Sequence, residues 1–311
     1  MSTLICGSIA FDSIMVFRGR FKDHILPDKV HILNVAFLVP QLRREYGGTA
    51  GNIAYSLKLL GGDPLPMATV GTDAAAYLQR FDELGITRKH LREIADSYTA
   101  QAFITTDLDD NQITAFHPGA MSHSHLNAVP ADGSIRLGIV APDGRDGMIA
   151  HAVQFAEHGI PFIFDPGQGL PMFDSTELDD FLTQATYAVF NDYEAQLVVE
   201  KTGRTIAEQA RKVQALIVTR GGQGSDIYLG GRELHIPVAR TRRIVDPTGC
   251  GDAYRAGLLH GLANGFDWET TGRLAAVMGA LKIEHSGAQN HVASRDEIAE
   301  RFSESFGYRP W

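Results

Sequence analysis

The chain has 311 residues and a formal net charge of −9, with 28 Lys and Arg against 37 Asp and Glu. That acidic balance argues against a general nucleic-acid binder, which needs a basic face to displace counterions. With 44% hydrophobic and 21% charged residues the composition is that of an ordinary folded protein, and no apolar run approaches the ~20 residues of a membrane span.

The length suits two domains, or one α/β domain with an insertion. Two cysteines, Cys6 and Cys250, make no disulfide framework and favour a reducing compartment. The N-terminal run has no basic segment ahead of its apolar residues and reads as no signal peptide, so a cytoplasmic location is expected.

A buried strand opens the chain over Leu4–Ile9 and breaks around Gly7. Residues 12–46 lack helical periodicity; Val30, Ile32, Val35, Phe37 and Val39 alternate between Pro27 and Pro40, which reads as strands and turns. Ile53, Ala54, Leu57 and Leu60 place a helix over 50–60, stopped by Gly61-Gly62. A strand over 65–70 and a helix over 74–84, closed by Gly85, come next. Residues 99–106 and 112–116 then alternate around the turn cluster 107–111.

Beyond them the pattern becomes strand and helix in turn. Strands are expected over 135–141, 161–165, 187–191 and 215–219, with helices over 146–158 and 192–201. A hairpin turns at Gly230-Gly231, and long helices cover 249–264 and 268–283. Such alternation implies an α/β fold, a mostly parallel sheet with helices on both faces. The two β-rich stretches, about 12–47 and 98–120, fall outside it and are assigned to a small β-sheet lid inserted in a single domain spanning 1–311.

The sharpest chemical signal is Asp246-Pro247-Thr248-Gly249-Cys250-Gly251-Asp252, which enters the helix at 249–264. Glycines at a helix N-terminus let backbone N–H groups converge on an anion. Asp252, in the first turn, is placed to take a proton from an attacking hydroxyl, although an ordinary first-turn acid fits the same position. Gly47-Gly48-Thr49-Ala50-Gly51-Asn52 allows close backbone approach to a ligand, and Asn52 can pair with hydroxyls or cap its helix. Asp12 follows the first strand, where α/β proteins gather ligands. Asn191 and Glu194 are three apart at a strand-to-helix junction, a spacing that fits both a capping box and hard oxygen ligands for Mg²⁺. Thr219-Arg220-Gly221-Gly222-Gln223-Gly224 is a glycine-rich turn that could be only a hairpin. His117, His123 and His125 lack zinc spacing and read as a solvated loop.

These motifs, in this order, resemble the two signatures of the PfkB, or ribokinase-like, family of carbohydrate and nucleoside kinases, over nearly the whole chain. The resemblance implies a three-layer α/β/α domain with a β lid, ATP and Mg²⁺ as cofactors, Asp252 as catalytic base, and an anion hole at Gly249, Cys250 and Gly251. Within the family, Phe116-His117-Pro118-Gly119-Ala120-Met121-Ser122 and Asn191-Asp192-Tyr193-Glu194 are similar to the bacterial adenosine kinase branch. By that likeness Ser8, Asp12, Gly48, Asn52 and Gln168 hold a nucleoside, with Phe103 and Phe116 sandwiching its base. Asn191, Thr219, Gly221, Gly222 and Gly224 would bind ATP. Asn191 and Glu194 would hold Mg²⁺ through water, and Asp246 with the Thr248 carbonyl a monovalent cation such as K⁺. The resemblance further implies a homodimer through the lid. One departure is Gly169, where the adenosine kinases carry a second glutamine.

The expected activity is transfer of phosphate from ATP to a nucleoside ribose 5′-hydroxyl, adenosine first. The alternatives are a broad purine nucleoside kinase taking inosine or guanosine, a free-sugar kinase, and a non-catalytic nucleoside sensor.

Overall fold

The computed structural model describes residues 2–25, 31–109 and 111–311. In chain order the strands are β1 (Ser2–Cys6), β2 (Ala10–Val16), β3 (Gln41–Gly47), β4 (Asp63–Val70), β5 (His90–Glu93), β6 (Ala100–Thr106), β7 (Gln112–His117), β8 (Leu137–Val140), β9 (Phe162–Phe164), β10 (Tyr187–Asn191), β11 (Ala215–Thr219), β12 (Ser225–Leu229) and β13 (Arg232–Ile236). The helices are α1 (Thr49–Leu59), α2 (Ala75–Leu84), α3 (Arg145–Glu157), α4 (Ser175–Gln184), α5 (Asp192–Thr202), α6 (Ile206–Gln209), α7 (Cys250–Ala263), α8 (Trp268–Ile283) and α9 (Arg295–Phe306).

The main sheet runs β13-β12-β11-β10-β9-β8-β1-β4-β5. It is parallel from β11 to β5, and β12 and β13 add an antiparallel edge. Its strands are apolar on both faces because both are covered. Ile5, Ile139, Ile163 and Val189 pack with Ile53 of α1, Tyr77 of α2 and Leu258 of α7. Their neighbours Leu4, Val140, Phe164 and Phe190 point the other way, onto Met148 of α3, Leu182 of α4 and Val198 of α5. α9 lies outside α8, joined through Met278, Ile298 and Phe302. Among the described residues no helix is long and apolar enough to cross a membrane.

A second sheet, in the order β3-β2-β6-β7, comes from the two stretches outside the βα alternation. Its outer pairs are antiparallel and its central pair, β2 with β6, is parallel. The sequence reading needs correction in this region. Of the alternating residues between Pro27 and Pro40, Val30 and Pro27 lie outside the described residues, and positions 33–39 form no strand. Phe37 instead packs on the rings of Phe17 and Phe21, 4.8 and 5.0 Å away. Three helices also lie outside the elements expected from periodicity, α4, α6 and α9. Each opens on a capping box, Asp174 with Glu177, Thr205 with Glu208 and Ser294 with Glu297, in which the cap side chain accepts the N–H of the glutamate.

Candidate active site

Ser8, Pro142, Asp165, Asn191 and Thr219 all follow or end strands β1, β8, β9, β10 and β11, so they line one edge of the parallel sheet. This carboxyl edge is where open α/β sheets bind ligands. The N-terminus of α7 enters the same edge. Gly249 is its N-cap with φ of 77°, and a Cβ there would sit 2.7 Å from that of Ala288, so only glycine fits the turn.

Asp252, in the first turn of α7, accepts a hydrogen bond from Asn52 Nδ2 at 2.8 Å. Burial pushes its carboxyl up to about 7; Asn52 and the Arg255 guanidinium oppose the rise, and the charges of Asp165 and Asp12 add to it. Asn52 is itself oriented. Its Oδ1 accepts from Gln289 Nε2 at 3.0 Å, and that nitrogen also donates to Tyr77 Oη at 2.7 Å. Tyr77 Oη in turn donates to the Gly47 carbonyl at 2.6 Å. Gly51 is explained by this chain of bonds: a Cβ there would fall 1.9 Å from Tyr77 Oη. Tyr77 and Gln289 carry no motif of their own, and the signal that could have found them is the space reserved by Gly51.

Of the three amides assigned to the anion hole, the Cys250 N–H already donates to the Pro247 carbonyl at 3.1 Å. Among the described residues the N–H groups of Gly249 and Gly251 make no such backbone bond, which leaves two amides for an anion beside Asp252.

Arg255, one turn further along α7, forms a two-pronged ion pair with Asp165, Nε to Oδ2 at 3.0 Å and Nη2 to Oδ1 at 2.9 Å. Both residues are buried. The charges of Asp165, Glu194 and Asp252 hold the guanidinium well above its ordinary value. A single buried cation therefore serves three acids, a cluster the motif reading did not resolve.

Asn191 and Glu194 form a reciprocal capping box. Asn191 N–H and Nδ2 donate to the two Glu194 oxygens at 2.8 Å each, and Glu194 N–H donates to Asn191 Oδ1 at 2.7 Å. Burial and Asp165 raise the Glu194 carboxyl, against Arg255. The capping alternative thus describes the local geometry, and among the described residues no group of three His, Cys, Asp or Glu side chains is gathered to hold a metal ion. The pair suits a hydrated Mg²⁺ carried by phosphates, reached through water, rather than a protein cage. Asn191 pairs in register with Thr219, and the Gly221–Gln223 turn follows directly, with Gly224 at φ of 89° leading into β12.

The remaining substrate candidates divide. Asp12 lies under Gly47, where a Cβ would come 2.7 Å from its Oδ2, and burial with the nearby Glu45 and Asp246 charges raises its carboxyl to about 6. Gly48, at φ of 83°, leaves no room for a side chain, since a Cβ there would fall 2.5 Å from the Ser8 carbonyl oxygen. Ser8 Oγ accepts the Thr49 N–H at 3.1 Å and so fastens the start of α1. Gln168 is exposed on the turn after Asp165. The aromatic sandwich needs correction. Phe116 pairs with Ala102, which pairs with Asp12, so these share one face of the lid. Phe103 pairs with Ser13 and Ala115 and points from the opposite face. One chain cannot bring both rings onto one base.

Of the monovalent-cation candidates, Asp246 is already engaged. The Asp246 carboxylate accepts the N–H of Thr248 at 2.9 Å and of Gly287 at 2.8 Å, and its carbonyl accepts from Lys282 Nζ at 2.8 Å.

The sequence profile of the pfkB family of carbohydrate kinases matches residues 9–295. A nucleoside kinase of Burkholderia thailandensis, solved in complex with inosine, is 56% identical, covering 99% of this chain and 99% of that one, with a TM-score of 0.89. The same relative has also been solved with ADP-inosine. A nucleoside kinase of Methanothermobacter thermautotrophicus is 30% identical over 99% of this chain and 97% of its own length. The nucleoside kinase of Methanocaldococcus jannaschii superposes with a TM-score of 0.89 at 28% identity, covering 97% and 98% of the two chains.

Proposed function

The chain belongs to the pfkB family of carbohydrate kinases, and is a phosphotransferase with a hydroxyl acceptor; from that premise we propose that it transfers the γ-phosphoryl group of ATP to the ribose 5′-hydroxyl of purine nucleosides, inosine as well as adenosine. The observation that carries the reading is Asp252: a half-buried carboxyl raised to about 7, held by Asn52, at the start of a helix beside two free glycine amides. A base poised near the working pH accepts the hydroxyl proton as the bond to phosphorus forms. The amides of Gly249 and Gly251 receive the charge of the transferring group, and phosphoryl transfer asks for little beyond positioning and such stabilisation.

The acceptor is read from the lid. Asp12 and Phe116 share the face that carries Glu45, and Glu45 Oε2 accepts from Asn290 Nδ2 at 2.9 Å, close to the catalytic loop. A carboxylate for a ribose diol beside an aromatic platform suits a nucleoside, whereas a free sugar has no base to stack. The 56% identical inosine-bound relative supports inosine as an acceptor. Asn191, Thr219 and the Gly221–Gly224 turn lie along the same sheet edge and are assigned to ATP. Mg²⁺, when bound with ATP, neutralises phosphate charge, and Glu194 with Asn191 would hold its hydration shell.

A panel of nucleosides and free sugars tests the assignment by ATP consumption. Inosine and adenosine are the expected substrates, and Phe116→Ala raises their KM by about 5- to 150-fold, the range for loss of one stacking contact. Turnover of ribose or fructose with no nucleoside turned over contradicts it.

A second copy of this chain is proposed to cover the opposite lid face. Leu42, Phe103 and Ile113 are exposed there, and Leu42 and Phe103 border, with Met15 and Arg44, a groove of about 580 Å³.

A further inference from the structure

Lys282 is 0% exposed, at the C-terminal end of α8. Among the described residues its ammonium forms no ion pair with a carboxylate. It donates instead to two backbone carbonyls, Asp246 at 2.8 Å and His285 at 3.0 Å. A buried charge without a counter-ion costs several kcal/mol, so an arrangement of this kind needs a compensating partner. Burial accordingly lowers the Lys282 ammonium, while Cys250 and Asp246 favour the charged form.

The two carbonyls belong to the two segments that shape the phosphate site. Asp246 begins the loop that delivers Gly249 and Gly251, and its carbonyl also lies 3.9 Å from Cys250 Sγ. His285 begins the turn whose Gly287 N–H binds the Asp246 carboxylate and whose Ala288 packs against Gly249. The loop is further tied to α8 by Val245 N–H and Asp246 N–H, which donate to the Ile283 carbonyl at 2.8 and 3.2 Å. A fixed cation bonded to converging carbonyls orients those peptides and adds positive potential beneath an anion site, as a bound alkali ion does. A K⁺ on the same Asp246 oxygen would face the ammonium as a like charge.

We propose that Lys282 is the resident cation of the anion-hole loop, a positioning residue that takes the place of a dissociable monovalent ion and leaves the enzyme independent of K⁺. The inference rests on the kinase reading above. It assigns Asp246 to loop bracing and removes Asp246 and the Thr248 carbonyl from cation ligation.

The test measures phosphorylation of inosine by the full-length protein in matched K⁺, Na⁺ and choline chloride buffers. The wild type is expected to give one kcat in all three. Lys282→Met, which keeps the length and removes the charge, lowers kcat by about a hundredfold, the lower end of the range for a lost oxyanion-site contact. Lys282→Ala, which opens space, regains part of that loss with K⁺, ammonium or methylammonium and none with choline. Several-fold activation of the wild type by K⁺ over choline overturns the proposal. So does a Lys282→Met enzyme with wild-type kcat, or a folded Lys282→Ala enzyme that no cation restores. If neither variant folds, the wild-type cation series decides alone. No turnover by the wild type in any salt is a different result: it overturns the kinase reading and this proposal with it.

Discussion

Asp252 and Asn52 lie on different helices and meet through one 2.8 Å hydrogen bond. Burial is the main cause of the raised carboxyl, and the consequence for pH has two signs. Below about 7 the carboxyl is protonated and cannot accept the hydroxyl proton, so kcat/KM should climb with pH and level off above that value. Stability moves the other way. The unfolded carboxyl ionises near 3.8 while the folded one keeps its proton to about 7. Its contribution to stability is therefore full below the lower value and lost as pH rises through the upper one. Asp252→Asn cannot ionise. It should melt above the wild type at about pH 8, with the gap narrowing towards about pH 4, as followed by circular dichroism. A wild-type protein that melts above the variant at the higher pH contradicts the burial argument. At this scale much was legible, because Asp252 and Asn52 stand in motifs. Tyr77 and Gln289 were not, since their importance lies in hydrogen bonds that join residues 212 apart in the chain.

At the scale of elements, glycines and caps explain why the helices begin where they do. Gly249 supplies a left-handed turn into α7, and Asn191 caps α5 through its box with Glu194. The Asn191–Glu194 spacing left capping and metal binding equally open, because both use the same two side chains. The lid shows how register decides what composition cannot. Phe103 and Phe116 are both strand aromatics, but pairing across β2, β6 and β7 assigns them to opposite faces. A one-residue shift in pairing would exchange those faces, and no single-strand pattern encodes it. The outer face makes its own prediction. Phe103 is 42% exposed and Leu42 67%. If two lids pair there, Phe103→Asp should convert a dimer to a monomer in light scattering and leave the melting temperature of each protomer unchanged. A wild-type protein that is monomeric at all concentrations, or a variant that stays dimeric, contradicts lid pairing.

Across the whole molecule, the alternation of apolar strands with helices was enough to read the parallel sheet, and the breaks in it located the second sheet. The helices α4, α6 and α9 lie outside the expected elements, although each is announced by a cap pair three residues apart, Asp174 with Glu177, Thr205 with Glu208 and Ser294 with Glu297. The buried cations Arg255 and Lys282 were lost because sequence assigns charge to the surface by default, and only packing shows which ones are enclosed. The net charge of −9 is likewise no obstacle to binding ATP, since the proposed site would draw on glycine amides, a helix terminus and these two enclosed cations. The most direct test of the account is phosphorus NMR of the product formed from ATP and inosine. The account predicts phosphate on the ribose 5′-oxygen, formed about 10²- to 10⁴-fold more slowly by Asp252→Asn. Phosphate on another oxygen, or an Asp252→Asn enzyme as fast as the wild type, would contradict it.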